Sequence, residues 1–114
     1  MNVPLEAAPE TPAREPVTIR ARSPFAGVTV VNLSPAIAEE MRINAVTAGV
    51  VVAEVEQGTT ADAIGFQRGD VVIEVNGERL NRSRDLERAV QNPQRAWRVQ
   101  INRGGKTFSR VIGG

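Results

Sequence analysis

The sequence contains no histidine and no cysteine, and each absence removes a class of chemistry. Without histidine there is no Ser-His-Asp triad, no histidine general base and no histidine-bound zinc. Without cysteine there are no disulfides, no thiol nucleophile and no thiolate metal site, while the compartment stays open. No run approaches the roughly 18 apolar residues that a membrane-spanning helix needs. The N-terminus shows no charged head followed by an apolar stretch, so no signal peptide is visible. An exported parent protein would carry its signal upstream or have lost it.

Charge of one sign is also missing. The 14 Lys and Arg are balanced by 13 Asp and Glu, and a net charge of +1 points to neither nucleic acid nor membrane insertion. Lys106 is the sole lysine, and the arginines are scattered among acids without a basic stripe. Arg103-Gly104-Gly105 reads as a hairpin turn rather than as an RNA contact. A Ser-Lys dyad is the one nucleophile pair that the composition allows. Lys106 sits beside a turn, however, and none of Ser23, Ser34, Ser83 and Ser109 lies in a nucleophile-like motif. Glu39 and Glu40 are adjacent, so on a helix they diverge by about a hundred degrees and share no site. The chain reads as a non-enzyme with no cofactor and no metal.

What is present fits one domain and a tail within 114 residues. Pro4, Pro9, Pro12 and Pro16 punctuate residues 1–16, which carry too little apolar surface to offset ordering. This stretch is expected to be a disordered linker, the folded domain to run over 17–114, and the whole to be a piece of a longer protein.

Residues 17–22 alternate apolar and polar, as a half-buried edge strand does. Residues 23–27 form a loop and 28–33 a β-branched strand. Ser34-Pro35 opens a helix with a hydroxyl cap and proline at its first position. Its Ile37 and Met41 lie one turn apart, with Glu39 and Glu40 toward water. Residues 49–55 read as a central strand. Ser83 is expected to cap a second helix with Leu86, Ala89 and Val90 as its apolar stripe, ended by Asn92-Pro93. Residues 97–101 and 107–112 form a hairpin across Gly104-Gly105.

The most structured stretch is 59–77. Thr59 caps one helical turn, Asp62 favours its N-terminus and Gly65 supplies a left-handed stop. Phe66 follows as an apolar plug, and Gly69-Asp70 turns the chain into the strand Val71-Val72-Ile73-Glu74-Val75. Asn76-Gly77 is the dipeptide most suited to a tight reversal. Five or six short strands with two helices and short connections argue for a mainly β, α+β domain. It would be a partly open antiparallel barrel or sandwich capped by helices.

Gly65-Phe66-Gln67-Arg68-Gly69-Asp70-Val71-Val72 and Val75-Asn76-Gly77 resemble the signature of bacterial PDZ domains. That resemblance implies binding of a peptide as an extra strand on a sheet edge. Phe25-Ala26-Gly27-Val28 resembles the carboxylate-binding loop, with Phe25 and Ala26 replacing the usual glycine and leucine. Gly27 would turn backbone amides outward as an anion-binding nest. Val28, Thr29 and Val30 would form the pairing strand, and Leu86 and Val90 the opposite wall. Arg20 or Arg22 could add charge near a carboxylate.

The strand order resembles the circularly permuted arrangement of bacterial proteases. The run from Ser23 through Glu40 is similar to the second PDZ domain of HtrA/Do-type periplasmic serine proteases. What this implies is a protease domain and a first PDZ domain upstream, a natural terminus near Gly114, a periplasmic location and a part in protein quality control. The partners implied are C-termini or unfolded segments of substrates, and neighbouring PDZ or protease domains of an oligomer. Two tasks follow from the resemblance. One is capture of peptides for the protease; the alternative is docking onto neighbouring subunits to control cage assembly, with a closed groove.

Overall fold

The computed structural model describes residues 12–113. Residues 1–11 of the proline-rich stretch and Gly114 lie outside the described residues. Seven strands and three helices follow in the order β1 (Val17–Thr18), β2 (Val28–Asn32), α1 (Pro35–Met41), β3 (Val50–Val55), α2 (Thr60–Ile64), β4 (Val71–Val75), β5 (Glu78–Arg79), α3 (Ser83–Ala89), β6 (Ala96–Arg103) and β7 (Lys106–Gly113). All pairings are antiparallel, and the sheet runs β1-β2-β3-β4-β6-β7 with β5 added to β4. The expected antiparallel β architecture is present.

The valine runs are continuous rather than alternating because both faces of the central strands are covered. Val30, Val50, Val52 and Val72 point into the main core with Phe25, Leu86, Trp97, Val99 and Ile101. Val31, Val51 and Val71 point the other way, into a smaller cluster closed by Ile37 of α1. The register pairs Val30 with Val52 and Val31 with Val51, so partners share a face.

Local chemistry explains the helix ends. Ser34 Oγ accepts the Ile37 N–H at 3.2 Å, with Pro35 opening α1. Thr59 Oγ1 accepts the Asp62 N–H, while Asp62 Oδ2 accepts that of Gly58, so the two side chains satisfy backbone donors at the N-terminus of α2. Gly65, at φ 104°, stops α2 and releases Phe66 into the core. Asn76 and Gly77, at φ 49° and 84°, have the paired positive angles of a type I′ turn. That turn makes the short β4–β5 hairpin, whose second strand is too brief to leave a pattern in the sequence.

Three expectations are corrected. The edge strand over 17–22 is confined to Val17–Thr18, because the chain bends from Ala21 into the loop. The single turn after Thr59 is a helix in its own right, making three. Ser83 does not cap α3: Arg82 occupies that position and Ser83 is the first helical residue, fully buried. The capping acceptor is Asp85, whose Oδ2 takes the N–H of Asn81 at 2.9 Å and of Arg82 at 3.0 Å.

Asp85 therefore carries a testable pH dependence. The Asn81 N–H, with that of Arg82 and the charges of Arg88 and Arg82, holds its carboxyl below the ordinary 3.8 despite opposing burial. A depressed folded value means that the contribution is present above 3.8 and is lost as pH falls through the folded value. Asp85→Ala is expected to cost about 1 kcal/mol in urea unfolding at pH 7. The gap from the parent should close as pH drops below 3.8. A gap that persists in acid would show that the carboxylate is not the cap.

Candidate functional site

The loop of residues 23–27 folds tightly because Ser23 organises it. Ser23 Oγ accepts the Phe25 N–H at 3.2 Å, and its carbonyl accepts the Ala26 N–H at 3.2 Å. The Val28 N–H returns to the Phe25 carbonyl at 3.0 Å. From behind, Glu56 N–H donates to Gly27 O and Ala61 N–H to Ala26 O, which fastens the loop to the end of β3 and the start of α2. Gly27 has φ 106°, and a Cβ there would run into the Thr59 side chain, so glycine is required on two counts.

Phe25 does not stand at the mouth of a groove. It is fully buried and stacked on Phe66, with ring centroids 5.0 Å apart. Val28, Val30, Leu86 and Val90 join the same core cluster. Thr29 is half-buried on the other side of β2, with its hydroxyl 2.9 Å from that of Thr18. Arg20 and Arg22 are both exposed and separate: Arg20 borders a recess with Gly27, Thr29 and Glu54, and Arg22 one with Ser23, Pro24 and Trp97.

β2 has α3 packed against it, the framework of strand, loop and helix that the sequence suggests. Its outer edge is already paired. Residues 17–19 run antiparallel along it, with Val17 opposite Val30 and Thr18 opposite Thr29; before them Glu15 takes a positive φ of 44°, and Arg14 O accepts the Asn32 N–H at 2.9 Å. At the loop, Ile19 N–H donates to Val28 O at 2.8 Å, and Ile19 O accepts the Gly27 N–H at 2.9 Å. The Ile19 side chain is buried in the core that contains Phe25, Val28, Leu86 and Val90.

A polar clamp holds the other end of this segment. Asn32 Nδ2 donates to Ala13 O at 2.8 Å, and Ser83 Oγ donates to Glu15 O at 2.7 Å. Asn32 Oδ1 accepts the Ser83 N–H at 2.6 Å, so one buried amide joins β2, the segment and the N-terminus of α3. An open cleft of about 600 Å³ remains between Glu15, Pro16 and Val17 on one side and Arg84, Glu87 and Arg88 on the other.

The sequence therefore points to β2, its loop and α3 but misses Arg14, Glu15, Ile19, Asn32 and Ser83 as participants. Only the Val17–Ile19 alternation signals the segment. The partners of Asn32 and Ser83 are 19 and 68 residues away, and no local pattern encodes them. Among the described residues no group of His, Cys, Asp or Glu is arranged to hold a metal, and no helix is long and apolar enough to cross a membrane.

Comparison with known proteins agrees with this geometry. The model of the PDZ domain family matches residues 24–110. Serine protease HTRA1B of Danio rerio is 29% identical over 93 residues, covering 77% of this chain and 19% of that protein. A probable periplasmic serine endoprotease, DegP-like, of Chlamydia pneumoniae is 30% identical over 66 residues, 58% of this chain and 14% of that protein. The chain thus spans less than a fifth of the length of these relatives. Among solved structures, the HtrA3 PDZ domain bound to a phage-derived ligand, FGRWV, superposes with a TM-score of 0.65 at 27% identity, over 78% of this chain and 82% of that one.

Proposed function

The chain belongs to the PDZ domain family, and from that premise we propose that it is the peptide-binding module of an HtrA-like serine protease. A PDZ domain is non-catalytic, so cleavage would fall to another part of the parent protein. The module captures unfolded or C-terminal segments of substrates by strand addition to β2 and so regulates the protease. The observation that carries this reading is the edge itself: β2, beside α3, holds an antiparallel strand, Val17–Ile19, along residues 27–30. The Ser23–Glu40 opening supports a place as the second, circularly permuted PDZ domain of its protein. The DegP-like relatives support a periplasmic location and a part in protein quality control.

A second reading is favoured by one specific observation. With its outer edge paired and its loop amides bonded within the chain, β2 offers no free strand edge along residues 28–32. A domain in that state would dock on neighbouring PDZ or protease subunits and control assembly instead.

Amide-shift titration of the labelled chain separates the two. Peptides with free apolar C-termini and amidated copies, at millimolar concentration, should shift residues 25–33 and 83–90. Silence in both stretches, together with concentration-dependent shifts elsewhere on the chain, would establish docking and overturn peptide capture.

A further inference from the structure

We propose that the β2 groove is built for internal segments, extended at the loop and carrying β-branched residues two apart, not for free C-termini, and that residues 13–19, extended over Val17–Ile19, are such a ligand held in cis. The proposal rests on the reading of β2 as a peptide edge and specifies its ligand.

The donors at the loop decide the ligand class. A terminal carboxylate needs several N–H groups converging on its two oxygens. Pro24 has none to give. The N–H groups of Phe25 and Ala26 are taken by Ser23, and that of Val28 by the Phe25 carbonyl. Only the Gly27 N–H points at the segment, and it meets the Ile19 carbonyl at 2.9 Å. One donor matches one neutral carbonyl. A second oxygen at that place would find no partner in the loop.

The chain's course agrees. The segment does not end at Ile19 but continues through Arg20 and bends at Ala21 into the loop, so the loop end of the groove already accommodates a peptide bond after the last inward residue. Along the groove, Ile19 is buried and Val17 half-buried against the core, while Thr18 and Arg20 are exposed. Alternate side chains therefore set the preference, with β-branched residues at the two inward positions. Asn32 and Ser83 bind only backbone oxygens of the segment at 2.8 and 2.7 Å, apart from a longer Asn32 contact to the Glu15 carboxylate. Backbone recognition of this kind tolerates many sequences, as a receptor for unfolded chains requires.

Two probes and two variants of the full chain test this. The first probe is a peptide of residues 13–22, acetylated and amidated; the second covers residues 13–19 and ends in a free carboxylate. Ile19→Asp expels the cis segment by placing a charge in its apolar seat. Val17→Asp weakens the segment at its other inward position, where Val17 is half-buried against the core, and leaves every residue of the groove itself unchanged. The capped peptide should shift the Gly27 and Asn32 amides of Ile19→Asp with at least tenfold higher affinity than in the parent chain, and of Val17→Asp severalfold higher. The free carboxylate should add no more than twofold.

A tenfold advantage for the carboxylate would overturn the ligand class and leave strand addition standing. Equal affinity of the capped peptide for the parent and for Val17→Asp would overturn occupancy in cis, whether or not Ile19→Asp folds. Absence of shifts at β2 with both peptides in a folded Val17→Asp chain would overturn the peptide edge itself.

Discussion

Phe25→Ala should cost about 3–5 kcal/mol of folding stability and leave peptide affinity no higher. The position resembles the first residue of a ligand-binding loop, where trimming a ring would open a site. Here the ring is fully enclosed and stacked on Phe66 at 5.0 Å. Its removal leaves a cavity at the seam where the loop, the end of α2 and the core meet. Aromatic stacking adds about 0.5–1.5 kcal/mol beyond the area buried. Against a total stability of about 5–15 kcal/mol for such a domain, the loss is a large fraction and reaches the unfolding threshold at 25 °C at the low end of that range. Phe25→Leu keeps most of the volume and should lose much less. Urea denaturation measures both, and titration with the capped segment peptide measures affinity. A stable Phe25→Ala chain that binds more tightly would return Phe25 to the mouth of the groove.

Stretch 59–77 is legible because its structure is local. Caps, positive-φ turns and a β-branched run each follow from residues within a few positions, and the helix, stop, strand and hairpin form there. Ser83 shows where such reasoning stops. A hydroxyl before an apolar helical stripe has a local role as a cap, and nothing in its neighbours says otherwise. In the folded chain Asp85 satisfies the helix end, which frees Ser83 Oγ to bind Glu15 across 68 residues. Long-range pairing of polar side chains carries no period and no spacing, so it leaves no signal to read. The same holds for Arg14 and Glu15, whose proline-rich surroundings suggest a linker while their carbonyls lie on β2 and α3. Asn32 lies inside a strand in sequence and closes the segment's clamp in space.

Arg103→Ala is expected to produce the other large loss, about 3 kcal/mol, at the lower end for breaking a buried pair. In sequence Asp70 is a turn residue and Arg103 the start of a glycine hairpin, with no hint that they meet. Arg103 Nε and Nη2 each lie 2.7 Å from an Asp70 oxygen, and Nη2 also donates to Gly65 O at 3.1 Å. Phe108 supports the guanidinium from one side, 5.6 Å from its ring centre. The hydrogen bond to Asp70 is the main reason that the Arg103 pKa is raised, so the guanidinium stays charged. Asp70 is 1% exposed, whereas Arg103 keeps a third of its side chain in water. Deleting the arginine strands a buried carboxylate that water reaches from that side alone, which sets the lower figure. Asp70→Asn in the same chain should recover part of the loss, because an amide still accepts the Gln67 N–H and no charge is left behind. The effect should also travel. Arg103 holds the Gly65 carbonyl at the end of α2, Phe66 follows it, and Phe66 supports Phe25 in the ligand loop. Hydrogen exchange at the Gly27 amide should therefore quicken in Arg103→Ala more than at the amides of β6. A loss below about 1 kcal/mol would place the pair among ordinary surface bridges. Unchanged exchange at Gly27 would sever the hairpin from the site.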